Sequence, residues 1–159
     1  MTALDTLMII LIGCGATLVM DAWLLLLKQF GVQTLNFAFI GRWFGHLFQG
    51  RLMHASIGKS APIPHELLLG WLVHYVVGIA FAGMLVGLVG MPWVRNPTWA
   101  PAVLVGIGTV IAPFFIMQPA MGSGIAGAKT PAPLKTRIRS VTNHAVFGLG
   151  LYLSAWLIA

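Results

Sequence analysis

The stretch Leu67-Leu-Leu-Gly-Trp-Leu-Val-His-Tyr-Val-Val-Gly-Ile-Ala-Phe-Ala-Gly-Met-Leu-Val-Gly-Leu-Val89 contains no Asp, Glu, Lys, Arg or Pro. An α-helix rises about 1.5 Å per residue, so crossing a hydrocarbon core of about 30 Å takes about 20 apolar residues. The run is too long for a strand, and apolar side chains surround it, so it has no face to offer water. It predicts a membrane-spanning helix. Three other windows meet the same standard, at 4–27, 99–121 and 141–158. In lipid every backbone polar group must be paired internally, which helices achieve one segment at a time. The expected fold is therefore an all-α integral membrane protein, a single domain over 1–159 with four transmembrane helices.

Composition agrees with that reading. The chain has 159 residues, 58% hydrophobic and 8% charged, with a mean hydropathy of +0.92. Soluble domains carry roughly 25% charged residues, and four spans leave little chain for a soluble domain. The first window lacks a basic leading segment and a small-residue cleavage site, so it reads as a retained helix and not a secretory signal. The one cysteine, Cys14, lies inside that span, which excludes an intrachain disulfide and a CxxC metal site.

The net charge of +6 resembles a nucleic-acid signal until the basic residues are placed along the chain. Lys28, Arg42, Arg51 and Lys59 fall between spans one and two, and Lys129, Lys135, Arg137 and Arg139 between spans three and four. Only Arg95 falls between spans two and three. Basic residues are retained on the cytoplasmic side, so both long connections are expected to face the cytoplasm and both termini the outer side of a bacterial inner membrane. Trp93, Trp99 and Trp156 then lie near the outer interface, and Trp23, Trp43 and Trp71 near the inner one. The basic charge records topology and contact with anionic lipid head groups, not nucleic acid.

In the first connection, Ile40, Trp43, Phe44, Leu47, Phe48 and Leu52 recur at helical spacing, with Arg42, His46 and Gln49 on another face. This predicts an amphipathic helix over about 36–53, capped by Asn36 and lying at the bilayer surface. Lys59-Ser-Ala-Pro-Ile-Pro64 breaks the chain before Glu66 opens span two. A shift of 70 residues aligns Lys59 with Lys129, His74 with His144 and Gly78 with Gly148, a pattern compatible with two parallel helical hairpins.

Each span carries a polar group at a similar depth. Asp21 precedes the end of span one, His74 follows the start of span two, Gln118 closes span three, and Asn143 and His144 open span four. A carboxylate at the bilayer centre costs about 2.5–3.5 kcal/mol on insertion scales, so Asp21 should face the protein interior or a wet cavity. Gly13, Thr17 and Asp21 share one helical stripe, and Gly70, His74 and Gly78 another, so these polar groups sit on the small-residue faces by which membrane helices pack. Pro113 predicts a kink in span three.

Asp21, His74, His144, Gln118 and Asn143 are therefore the candidate ligand- or proton-binding residues. His74 and His144 could instead ligate haem b axially, and Met20, Met117 and Met121 lie near the same level as soft-metal donors. No metal site is assigned. Ser123, Ser140 and Thr142 stand near His144, but an orienting acid would have to come from Asp21 or Glu66 on other helices, so no catalytic residue is assigned either.

The stretch Pro119-Ala-Met-Gly-Ser-Gly-Ile-Ala-Gly-Ala-Lys-Thr-Pro-Ala-Pro133 contains G-x-G-x-x-G. In a chain this rich in glycine that pattern arises by chance in about one sequence in four, and it lacks the preceding strand and the adjacent Gly-Lys of a nucleotide loop. The expectation is a flexible exit from span three with free backbone amides, where Lys129, Lys135, Arg137 and Arg139 meet lipid phosphate.

The runs GATLVMDAW, LLGWLVHYVVGIAF, APFFIMQPAMGSGIA into AKTP, and NHAVFGLGLYL, with Leu35-Asn36, Gly41-Arg42-Trp43 and Gly45-His46 between the first two, resemble a bacterial domain-of-unknown-function family of small four-span inner-membrane proteins. The resemblance implies the membrane class and no established activity. The residues themselves favour small-solute or proton-coupled transport, or ligand binding, with a haem-binding redox subunit and a non-catalytic accessory protein of a membrane complex as alternatives. Glycine-lined faces leave spare packing surface for a homo-oligomer or a partner subunit.

Overall fold

The computed structural model describes residues 2–159, whose regular elements are all helices and which contain no strand. In chain order they form α1 (Ala3–Gln29), α2 (Phe37–Leu47), a 3₁₀ turn (Ile57–Lys59), α3 (Glu66–Val89), α4 (Pro92–Arg95) and α5 (Trp99–Gly108). A wide π-helical turn (Pro113–Met117), α6 (Gln118–Ala120), a second 3₁₀ turn (Ile125–Gly127) and α7 (Pro133–Ile158) follow. Four helical stretches are long and apolar enough to cross a membrane: Ala3–Gln29, Glu66–Val89, Trp99–Ala120 and Pro133–Ile158.

Local chemistry sets the ends of these helices. Thr2 caps α1 in a reciprocal box with Asp5, each side chain accepting the other's backbone N–H. The Asn36 side chain accepts from the Ala38 amide and starts α2, as the sequence predicts. That helix ends at Leu47, short of the expected 53: Gly50 turns at φ +74° and the Arg51 amide folds back onto the His46 carbonyl. Helix α7 begins at Pro133, ahead of the apolar window at 141. Proline suits a first turn because the N–H it lacks would have no helical partner there. Lys135, Arg137 and Arg139 consequently stand on a helix and not in a loop. Pro113 offers no N–H to the carbonyl four residues back, and the third spanning stretch widens into its π turn there.

The chain folds as two compact units. The first comprises the described residues through Thr34 together with Tyr75–Thr109 and Val141–Ala159. Its core contains Ile12, Ala16, Leu85, Phe147 and Leu151, with Trp93 and Val94 of α4. Glycines bring its helices together. A Cβ on Gly13 would lie 2.5 Å from the Ile79 Cα, one on Gly150 2.8 Å from the Ala16 Cα, and one on Gly148 2.8 Å from the Val103 Cα. In lipid, where apolar surface gains nothing by leaving the solvent, such close backbone contact is what holds helices together.

The second unit comprises Leu35–His74 and Val110–Ser140. Ile40, Ile57 and Met121 form its core, with Phe37, Trp43, Val73 and Met117 packed around them. Gly41 and Gly70 let α2 lie directly on the start of α3: a Cβ on Gly41 would strike the Glu66 carbonyl, and one on Gly70 the Phe37 carbonyl. The extended segment after α2 is tied to the end of α6 by two backbone bonds, from the His54 amide to the Ala120 carbonyl (2.8 Å) and from the Ile57 amide to the Met121 carbonyl (3.0 Å).

Candidate functional site

In the first unit the polar residues of the spans occur as hydrogen-bonded pairs between helices. Asp21 is buried, 9% exposed, and its Oδ2 accepts from the Tyr75 hydroxyl of α3 at 3.0 Å. Two residues on, the Trp23 indole N–H donates to the Asn143 Oδ1 of α7 at 3.0 Å. The Thr109 hydroxyl donates to the Gly106 carbonyl and stands 2.7 Å from the His144 Nδ1. That hydroxyl has one proton, so when it donates to the Gly106 carbonyl the His144 Nδ1 carries the N–H toward it. Thr17, fully buried, spends its hydroxyl on the Gly13 carbonyl at 2.8 Å and packs against Gly78.

Three of the five candidates, Asp21, Asn143 and His144, thus belong to the first unit, each with a defined partner. His74 and Gln118 belong to the second. The half-buried His74 ring lies 4.7 Å from the Phe37 ring and 6.0 Å from that of Trp71. Gln118 is 9% exposed; its Nε2 reaches the Ser140 Oγ at 3.4 Å, while its Oε1 is buried without a hydrogen-bond partner. Among the described residues no group of three His, Cys, Asp or Glu side chains could hold a metal ion. Met20, Met117 and Met121 serve the packing of the two cores.

Sequence reasoning passes over a second polar constellation, on α2. Arg42 forks onto Glu66, Nε to Oε2 at 2.8 Å and Nη2 to Oε1 at 2.7 Å, and its Nη1 donates to the Ile57 and Ser60 carbonyls at 3.1 and 3.0 Å. The Glu66 partner holds the guanidinium pKa above its ordinary value. One turn on, the His46 Nδ1 lies 2.8 Å from the His54 Nε2, with the two rings stacked and both buried. The polar stripe of α2 therefore faces the protein, whereas Phe48, Leu52 and Met53, all just beyond its end, are exposed. The i, i+4 spacing of Arg42 and His46 was the available signal, but a polar helix face ordinarily points to water or head groups.

The glycine-rich loop corrects an expectation. Its backbone amides are not free: those of Gly122, Ser123, Gly127, Ala128, Lys129 and Thr130 all donate to carbonyls between Gln118 and Gly127. No nest of N–H groups remains at those positions to cradle a phosphate. Gly122, Gly124 and Gly127 adopt φ of +92°, +74° and +67°, which explains the glycines as turn-formers. Lys129, Lys135 and Arg137 are exposed, Arg137 donating to the Ala126 carbonyl, and Arg139 is half-buried.

Four apolar helices of spanning length, with polar groups paired between them, define a small multi-pass membrane protein. Within that class, the chain belongs to the family described as protein of unknown function (DUF2938), whose sequence model matches residues 10–158. No curated protein and no solved structure matches it.

Proposed function

We propose that the protein binds and translocates a small solute in a proton-linked manner, with Asp21 as the group that carries the proton or engages a cationic solute. The observation that carries this reading is the setting of Asp21: a carboxylate, 9% exposed, inside an apolar 27-residue helix and bonded by the Tyr75 hydroxyl. Registering α1 on α3 requires only an acceptor. A neutral amide would accept the same bond without the cost of about 2.5–3.5 kcal/mol attached to an acidic group at the bilayer centre. An ionisable group retained at that cost fits a role that uses its charge. Asn143 and His144 supply orienting and proton-accepting groups in the same unit. Lys129, Lys135, Arg137 and Arg139 contact anionic head groups in this reading, with both termini on the outer side of a bacterial inner membrane.

The reading is tested by native mass spectrometry of the protein released from membrane-derived nanodiscs. Wild type is expected to carry a small-molecule adduct that Asp21→Asn lacks while retaining its helical content. Identical adduct spectra for the two proteins would count against an Asp21-centred site.

A further inference from the structure

We propose that His46 and His54 form a proton-sensitive latch that holds residues 51–57 against α2 near neutral pH and releases them in acid. The inference lies outside the Asp21 reading and does not depend on it.

The argument starts from how many protons the pair can hold. The His46 Nδ1 and His54 Nε2 are 2.8 Å apart, so one must donate and the other accept. On its other side the His46 ring hydrogen-bonds the Ala61 backbone, an interaction that favours a ring N–H. With that nitrogen protonated, the neutral His46 accepts at Nδ1 and His54 donates from Nε2. The remaining nitrogen, the His54 Nδ1, then carries a lone pair, and it is buried without a hydrogen-bond partner. An added proton on the His46 Nδ1 puts two N–H groups face to face and removes the bond.

The surrounding charges act in both directions. Arg42 and Arg51 oppose protonation of His46, and Glu66, forked onto Arg42, favours it. Burial, His54 and Arg51 hold the His46 pKa below its ordinary value of 6.5. At His46 the folded state therefore binds fewer protons than the open one. The latch is at full strength above about pH 6.5, and it weakens as the pH falls from there toward the folded-state pKa.

Opening would be felt beyond the pair. The segment that carries His54 bonds the Ala120 and Met121 carbonyls at the end of the third spanning stretch. It also holds the Leu52 carbonyl, which accepts from the Trp43 indole at 3.1 Å.

The test is hydrogen exchange of the His54 and Ile57 amides in the full chain in lipid nanodiscs, each rate divided by its intrinsic rate at that pH. Protection should fall by up to about tenfold per pH unit between about pH 6.5 and 5, while amides in the middle of α3 keep theirs. In His54→Phe, which keeps a ring against His46 but has no second imidazole, that pH response should shrink to the part that burial of His46 alone gives. Wild-type protection that stays constant down to about pH 5 overturns the latch whether or not the variant folds. So does a response that persists undiminished in His54→Phe.

Discussion

Single side chains carry the sharpest consequences. Asp21 has an acceptor's role toward Tyr75, so Tyr75→Phe leaves a buried carboxylate short of one donor. The expected loss is about 1–2 kcal/mol of stability, read as a lowered midpoint of thermal unfolding in detergent. An unchanged midpoint would mean that the bond contributes nothing. Arg42 is held more firmly, donating four hydrogen bonds that join α2, the turn at Ile57–Lys59 and the start of α3. Arg42→Ala strands Glu66, and the expected loss is roughly 3 kcal/mol. Arg42→Lys should recover little of it, because an ammonium cannot match the fork. A lysine variant as stable as wild type would refute the forked geometry. Asp21 stands out in the sequence because an acid is rare in a spanning helix, whereas Arg42 and Glu66 each look ordinary near a helix end. Their pairing depends on Gly41 and Gly70 letting α2 settle onto α3, a tertiary fact with no local signature.

At the scale of helices, glycine decides which faces meet. Alanine at Gly13, Gly106 or Gly148 would push a methyl group into the backbone of a neighbouring helix, while the space around Gly87 and Gly108 is open. Gly13→Ala, Gly106→Ala and Gly148→Ala should each destabilise by about 1–3 kcal/mol. Gly87→Ala should be neutral or stabilise by up to about 1 kcal/mol through helix propensity. Unfolding midpoints of the four variants, measured in parallel, check the contrast; equal effects at all four would remove close packing as its cause. Spans one to three were legible from hydropathy to within a few residues. The start of α7 was not, because a hydropathy window stops at charge while the backbone continues through Lys135, Arg137 and Arg139 from a well-placed Pro133. The end of α2 was missed for a related reason. The apolar spacing continues through Phe48 and Leu52, but Gly50 ends the helix before them.

At the scale of the whole molecule, four helices are long and apolar enough to span a membrane, and in the proposed reading the uneven distribution of the basic residues puts both termini on the outer side. Single cysteines placed on a Cys14→Ser background should divide accordingly. Lys129→Cys should react with an impermeant maleimide only after the membrane is opened, and Asn96→Cys should react in intact cells. The reverse pattern would invert the topology. The membrane class could be read from composition alone; the pairings of Asp21 with Tyr75, Trp23 with Asn143 and Thr109 with His144 could not, because hydropathy fixes depth and leaves rotation about the helix axis open. The central claim, that Asp21 is retained for its charge, is met most directly by proton flux. Wild type and Asp21→Asn, reconstituted in liposomes enclosing a pH-sensitive dye, are compared under an imposed membrane potential. Wild type should acidify the lumen faster than empty liposomes and Asp21→Asn should not. Equal flux from the two proteins, both folded and equally incorporated, would contradict the account.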